Sequence, residues 1–274
     1  MEEKPKISII APCLNEEKHL PTFLNSLTKQ TFKDFEVIII DGESKDKSLE
    51  IIEAYKSKLN INLIIDTTRN FGFLRNLGAS KAEGTIHFHG NTDTYFEPNF
   101  FKKLNKFYRE HYETIAVAGR VYPMGTSFMA KIAYPAFDFF RFVFTCYPFP
   151  IRKFRPSGSF TSCRKWAFEM VNGYPEATVN EDGLFGQRLD AFAAKCHRAV
   201  VYNLKMWVGH HVKKFEKMGG LNAFLFYLYT LGNFAPILKP LLKPIENYAS
   251  QVFQGKEPVK LTFKMLVWNF WDWL

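Results

Sequence analysis

Residues 6–41 read KISIIAPCLNEEKHLPTFLNSLTKQTFKDFEVIIID, and this stretch decides the fold class. Residues 6–12 are almost continuously apolar, as a strand covered on both faces must be. Within residues 16–28, Leu20, Phe23, Leu24 and Leu27 recur at helical spacing. Residues 35–40, FEVIII, form a second strand of the same buried kind. Two apolar strands separated by an amphipathic helix make the unit from which parallel sheets are built, because parallel neighbours need a crossover between them.

The pattern repeats outward. DGESKDKS supplies a polar turn and a helix start, and residues 48–55 continue that helix. Residues 61–65 read as a third strand, 73–82 as a short helix and 85–88 as a fourth strand. Farther on, residues 98–112, 164–171 and 181–194 have helical patterns, while 115–121 and 200–208 read as strands. The predicted class is α/β, with a mainly parallel sheet carrying helices on both faces.

The chain has 274 residues, 47% of them apolar, which excludes disorder over most of its length. Such a length suits one large domain or two fused ones. The formal net charge is +9, and 29 phenylalanines stand out. Arg120, Lys131, Arg141, Arg152, Lys153, Arg155, Arg164 and Lys165 face Asp138 alone in their stretch. A basic surface serves nucleic acid, anionic lipid or phosphorylated substrates. No RNA- or DNA-binding motif accompanies it, so nucleic acid is not an expected partner. Residues 126–151 interleave aromatics with Lys and Arg, as a core helix or a membrane-interface helix does.

Residues 221–238, LNAFLFYLYTLGNFAPIL, carry no charge and would reach about 27 Å as one helix, near the hydrocarbon thickness of a bilayer. Gly232 and Pro236 weaken a single straight span, while Lys239, Lys243 and the final MLVWNFWDWL suggest interfacial anchors. Interfacial helices, a spanning hairpin and a soluble cap or dimer face all stay open. Cys13, Cys146, Cys163 and Cys196 are dispersed and read as reduced thiols, and MEEKPK leads directly into a strand with no visible secretory signal. The expected location is the cytoplasmic side of a membrane, peripheral or C-terminally anchored, with a soluble cytoplasmic protein as the alternative.

Candidate functional residues cluster at strand ends, where open α/β sheets gather ligands. Pro12, Asn15 and Glu16 end the first strand, and Asp41 ends the second. Asp41 can accept hydrogen bonds from a base or ribose, or it can cap the next helix. No GxGxxG fingerprint is present, which argues against an ordinary dinucleotide enzyme. In RNFGFLRN, Arg69 and Arg75 can neutralise a diphosphate or simply lie in solvent. In HGNTDT, Asn91, Thr92 and Asp93 put oxygen-bearing side chains where a hard cation can be approached, or form a plain turn. His87 and His89 alternate toward one face of the preceding strand and read as packed residues. Glu181 and Asp182 open a helix, favouring its N-terminus or accepting a hydroxyl proton. Arg188 pairs with an acid or holds local structure. His210 and His211 follow the late strand, and one of them can reach a metal or diphosphate. Lys213 and Lys214 offer phosphate contacts or surface charge.

In this order, ISIIAPCLNEEKHLPTFLNSLTKQTFKDFEVIIIDGESKDKSLEII, RNFGFLRNLGASKAEG, HFHGNTDTYFEPNF, PSGSFTSCRKWAFEMVNGYPE and NEDGLFGQRL resemble the family 2 inverting glycosyltransferases of the GT-A fold. The resemblance covers about residues 6–215. It implies nucleotide-sugar binding by Pro12, Asn15, Glu16, Asp41, Arg75, Asn91, Thr92 and Asp93. It puts Asn91–Asp93 at the family's Asp–any–Asp metal position, with the first Asp replaced by an uncharged Asn. Gly42 stands where a further Asp is often found. Asp93, Asn91 and one of His210 and His211 become metal-ligand candidates for Mn²⁺ or Mg²⁺. Asp182 matches the general base, and Glu181 orients acceptor or base.

The implied reaction moves a sugar, with inversion, from a UDP-sugar or GDP-sugar to a hydroxyl, a polyprenyl phosphate or a lipid-linked glycan. Arg152, Arg155 and Arg188 are the expected acceptor or phosphate contacts. The corresponding division is residues 1–125 for nucleotide sugar, 126–215 for acceptor and catalysis, and 216–274 as a helical, aromatic-rich, membrane-associated extension. A membrane surface is an expected partner and a homo-oligomer stays open. The competing readings are a soluble protein or polysaccharide transferase and a noncatalytic nucleotide-sugar-binding or assembly protein.

Overall fold

The computed structural model describes residues 6–146, 154–176 and 180–213. The first half runs β1 (Ile7–Cys13), α1 (Leu20–Thr28), β2 (Phe35–Asp41), α2 (Ser48–Tyr55), β3 (Ile61–Ile65), α3 (Phe71–Ser80) and β4 (Ile86–His89). The second half runs β5 (Thr94–Tyr95), α4 (Phe100–Glu110), β6 (Thr114–Met124), α5 (Phe128–Cys146), β7 (Thr161–Arg164), α6 (Lys165–Met170), α7 (Glu181–Lys195) and β8 (Ala199–His211). The strands form one sheet in the order β3-β2-β1-β4-β7-β6-β8-β5. Strands β1 to β4 pair in parallel, as do β6 and β8. β7 runs antiparallel between β4 and β6, and β5 pairs antiparallel with β8.

Every residue of β1 and β2 is buried, so their apolar runs reflect helices on both faces. Ile7, Ile9 and Ile39 pack with Leu20, Phe23, Leu104 and Phe137, from α1, α4 and α5. Ile10, Ile38 and Ile40 pack with Leu74, Phe168, Phe185 and Leu189, from α3, α6 and α7. Alternation along each strand sends neighbouring side chains to these two cores. Each fully buried Ile or Phe contributes about 2 kcal/mol of apolar burial. α3 lies hard against the sheet at Gly78, where a Cβ would stand 2.6 Å from Ile10 Cγ2 and 2.7 Å from Ile40 Cδ1.

Helix α1 begins at Leu20 rather than at residue 16, with Pro21 in its first turn, where the missing N–H costs no helical hydrogen bond. Residues 14–19 serve instead as a loop at the sheet's carboxyl edge. β5 and β7 have no counterpart in the sequence reading. One has two residues, and the other, TSCR, lacks an apolar run. The extension over 216–274, including 221–238, lies outside the described residues.

His87 and His89 do share one face, as the alternation implies. Their rings sit 5.4 Å and 5.2 Å from that of Phe168. Both residues are buried, and their ring nitrogens have no hydrogen-bond partner among the described residues. Burial, with Lys165 nearby, pushes His87 down to about 4. Burial, with His87 and Arg75 nearby, drives His89 well below the ordinary histidine value. Both are therefore neutral in the folded protein at pH 7.

The unfolded chain takes up these protons first as pH falls from about 6.5 toward 4, so stability drops through that window. His87→Leu keeps the packing and removes one proton uptake. It is expected to lessen the loss of stability between about pH 7 and pH 5 by about 1–2 kcal/mol, read from denaturant melts. Parallel pH profiles for the variant and the wild type would refute the assignment.

Candidate functional site

The carboxyl ends of β1, β2 and β4 meet at one edge of the sheet, and two turns there are held in the left-handed backbone region. Asn15 has φ 52° and Glu43 has φ 63°. Asn tolerates this conformation, whereas a Glu needs surrounding contacts to impose it. Those contacts run from loop to loop. Asn15 N donates to Ser44 Oγ at 2.8 Å, and Lys45 N donates to Asn15 Oδ1 at 2.8 Å. Glu16 N donates to Ser48 Oγ at 2.8 Å, and Glu17 N to Asp46 Oδ2 at 3.0 Å. The two loops thus form one clamped unit.

Asp41 is fully buried and accepts from Ser44 N and Ser44 Oγ, both at 2.7 Å. Asp41 thus closes the turn after β2 rather than capping α2, which starts at Ser48 behind Lys47 with no side-chain cap. Thr92, also buried, donates through Oγ1 to the Pro12 carbonyl at 3.3 Å and ties the loop after β4 to β1.

Asp93 is only 5% exposed. Its Oδ1 lies 3.2 Å from His210 Nδ1 and its Oδ2 lies 2.8 Å from Lys213 Nζ. The same ammonium donates to Glu16 Oε1. The pairing of Thr94 in β5 with His210 in β8 delivers these late residues to Asp93. Neighbours on an extended chain point apart, and the two histidines do so. His210 also contacts Ser159 Oγ at 2.9 Å, while the His211 ring lies 4.3 Å from that of His19.

Burial works against Asp93's charge, yet His210 and Lys213 hold its carboxyl well below the usual carboxylate range. Burial raises Glu16, with the charge of Asp93 adding to it and Lys213 opposing. Burial likewise opposes the Lys213 ammonium, but Asp93 and Glu16 keep its pKa above the ordinary lysine value.

Arg75 braces the next part of the edge. It is 1% exposed. It donates to Gly90 O at 3.0 Å, Asn91 Oδ1 at 2.9 Å and Gly158 O at 3.2 Å. Its Nε stands 4.0 Å from Glu181 Oε1, and its guanidinium lies 5.6 Å from the Tyr174 ring centre. These donors serve protein groups rather than projecting over a crevice. Asn91 also donates through Nδ2 to Ser159 Oγ at 3.4 Å. An amide can accept from Arg75 and donate to Ser159 at once, which a carboxylate cannot do. The Asn that departs from the Asp–any–Asp pattern therefore has a local physical reason.

Asp182, in the first turn of α7, accepts from Gly183 N at 2.7 Å. Arg155 is buried, which lowers its pKa, and the charges of Asp182 and Asp190 act in the opposite sense. Arg188 instead donates to the carbonyls of Asn172 and Gly173, at 3.2 Å and 3.1 Å, and fixes the turn after α6. It lines a surface depression with Met170, Phe192 and Lys195. Arg152 and Lys214 lie outside the described residues. Ser44 and Ser159, absent from the sequence reading, carry no distinguishing pattern beyond small polar residues at strand ends.

The profile described as Glycosyl transferase family 2 matches residues 8–167, more than half of the chain. The chain belongs to glycosyl transferase family 2. It is 35% identical over 114 residues to the poly(ribitol-phosphate) beta-N-acetylglucosaminyltransferase TarS of Staphylococcus aureus, over 40% of this chain and 20% of the relative. It is 35% identical over 127 residues to a PGL/p-HBAD biosynthesis glycosyltransferase of Mycobacterium bovis, over 45% of this chain and 50% of the relative. The chain thus spans half or less of the length of either curated relative.

Among solved structures, S. aureus TarS 1-349 in complex with UDP matches with TM-score 0.59 and 22% identity, covering 91% of this chain and 72% of that one. The mannosyltransferase PcManGT of Pyrobaculum calidifontis, in complex with GDP-Man and Mn²⁺, matches with TM-score 0.60 and 15% identity, covering 92% and 72%. At these identities the likeness speaks for the fold, and the mixed α/β sheet is of the GT-A type.

Of the family 2 metal set expected from sequence, the structure brings together Asp93 and His210. It turns the Asn91 amide to Arg75 and the His211 ring to His19. Among the described residues, no three His, Cys, Asp or Glu side chains group closely enough to hold a metal alone. The donor chemistry at Asp93 still fits a hard cation. Asp93 pairs with His210, Lys213 places a positive charge between Asp93 and Glu16, and Glu16 Oε2 is buried with no hydrogen-bond partner among the described residues.

Arg75→Met removes the Arg75 donors to two carbonyls and Asn91 and the Arg75–Glu181 ion pair. It is expected to cost about 2–4 kcal/mol in urea unfolding. Arg75→Lys should recover only part, since an ammonium cannot span these acceptors as a planar guanidinium does. A wild-type midpoint in both variants would remove the brace from the argument.

Proposed function

We propose that the chain transfers a sugar from a UDP-sugar or GDP-sugar to an acceptor beside α7, with inversion at the anomeric carbon. The supporting observation is continuity. Asp41 bonds Ser44, whose loop is clamped to Asn15 and Glu16, and Glu16 shares Lys213 with Asp93. His210, Ser159, Asn91 and Arg75 then lead from Asp93 to Glu181, the neighbour of Asp182. Candidate donor and acceptor groups therefore lie along one strand-end edge.

In this reading the clamped loops receive the nucleoside, and the Asp93 region faces the diphosphate. Asp93 and His210 would hold a divalent metal beside Glu16, with phosphate oxygens completing its ligands. Such an ion, when bound, offsets charge on the leaving diphosphate. Asp182 takes the proton of a hydroxyl acceptor as that oxygen bonds the anomeric carbon. The bond from that carbon to the phosphate oxygen breaks, and the nucleoside diphosphate leaves from the opposite face. Glu181, braced by Arg75, fixes the first turn from which Asp182 works. The UDP and GDP-Man named for the two structural neighbours support a nucleoside diphosphate donor and divide over its base.

A polyprenyl phosphate or lipid-linked glycan is the proposed acceptor class, at the cytoplasmic face of a membrane. Helix α5 supports it, with Phe128 at 73% and Phe139 at 63% exposure, Ile132 and Phe140 also exposed, and Lys131 among them. An outward apolar face with a nearby cation suits an anionic lipid surface. Among the described residues no helix is long and apolar enough to cross a membrane. A soluble polymer acceptor with free hydroxyls, such as a polysaccharide, is the second reading, and the hydroxyl-bearing poly(ribitol-phosphate) in the name of the S. aureus relative favours a polymer of that kind.

A panel of UDP- and GDP-sugars, with products identified by mass spectrometry, tests the donor. Asp182→Asn should keep donor affinity and slow transfer to a hydroxyl acceptor by about 10²–10⁴-fold. Equal turnover would reject its role as base. Flotation with anionic liposomes tests the membrane reading. The full chain should float, and changing Phe128, Phe139 and Phe140 together to Ser should weaken retention by about tenfold or more. A wild-type chain that stays with the unbound fraction would exclude that reading.

A further inference from the structure

We infer that Lys213 is a tethered stand-in for the divalent cation, filling its place between Glu16 and Asp93 until the metal displaces it. The inference rests on the donor reading above and gives Lys213, there only a link between Glu16 and Asp93, a role of its own. Lys213 Nζ lies 2.8 Å from Asp93 Oδ2 and donates to Glu16 Oε1, with its side chain 25% exposed. It is a point charge on a flexible stem, two residues beyond the end of β8. It can leave its place without any strand moving.

Charge decides what this arrangement is for. Two carboxylates in a largely buried setting repel one another and need a positive charge between them. Lys213 supplies one full positive charge to Glu16 and Asp93, and the His210 imidazole, 3.2 Å from Asp93, adds a second only when protonated. Glu16 Oε2 is buried without a hydrogen-bond partner among the described residues. The cluster therefore still attracts cations and repels an incoming diphosphate. A divalent ion reverses both conditions, but it cannot share the space with the ammonium, because like charges at such separation repel strongly. Asn91 adds no negative charge, since its side chain is a neutral amide, and that amide is already bonded to Arg75 and Ser159. Metal entry and Lys213 departure are thus one exchange.

The test measures Mn²⁺ itself, by isothermal titration and by the electron paramagnetic resonance signal of free Mn²⁺, on the full chain without donor. Lys213→Met and the milder Lys213→Gln should bind Mn²⁺ about tenfold or more tightly than wild type, because nothing must be displaced. Metal-free, both should melt below wild type, and Mn²⁺ should restore them. Equal or weaker Mn²⁺ affinity in the variants would overturn the inference.

Wild-type protein gives a second measurement that needs no variant to fold. Acetic anhydride should modify Lys213 several-fold faster with saturating Mn²⁺ than with a chelator, read by peptide mass spectrometry, and equal rates would overturn the inference. Mn²⁺ exchange as described, with no UDP- or GDP-sugar binding, would instead overturn the donor reading and leave the exchange standing.

Discussion

A carboxylate removed from water must be met by positive charge, and Asp93 imposes that demand on the rest of the site. Its partners come from far along the chain. His210 and Lys213 arrive because β8, beside β6, also pairs antiparallel with β5. The two-residue strand is small as an element and large in effect. It fixes which of two adjacent histidines faces Asp93 and where the next ammonium falls. The edge of the sheet is therefore organised by one ion cluster, with the apolar layers beneath keeping its members in register.

Arg75 shows how the same physics gives a different role to a similar residue. A guanidinium at the surface is a hand for phosphate, whereas a buried one must satisfy its donors internally. Arg75 is of the second kind, and its acceptors come from the loops after β4 and before β7 and from Asn91. It therefore links the loop after β4 to the start of α7. Asn91 is suited to this arrangement because it has both an acceptor and a donor to offer.

Much of this was readable from the chain alone. The unbroken Ile and Val runs of β1 and β2 announce a sheet covered on both faces, and α2 and β3 fall where their patterns put them. Pro12, Asn15, Glu16 and Asp93 sit at strand ends for the same reason. β7 was hidden because TSCR is buried by its neighbours rather than by its own hydrophobicity. The depth of Asp41 and Arg75 was hidden too, since burial of a polar residue depends on partners distant in sequence. Lys213 read equally as a phosphate contact or as surface charge, because nothing local marks a lysine whose two acids lie far earlier in the chain.

The cross-bonded loops after β1 and β2 carry a consequence for recombination between relatives. Asn15 and Ser44 satisfy one another's segments, and each loop contains a residue held in the left-handed region. Grafting one of them from a homologue would strand the donors of the other. Inherited or engineered changes to either loop must therefore travel as a cassette of two segments separated in sequence.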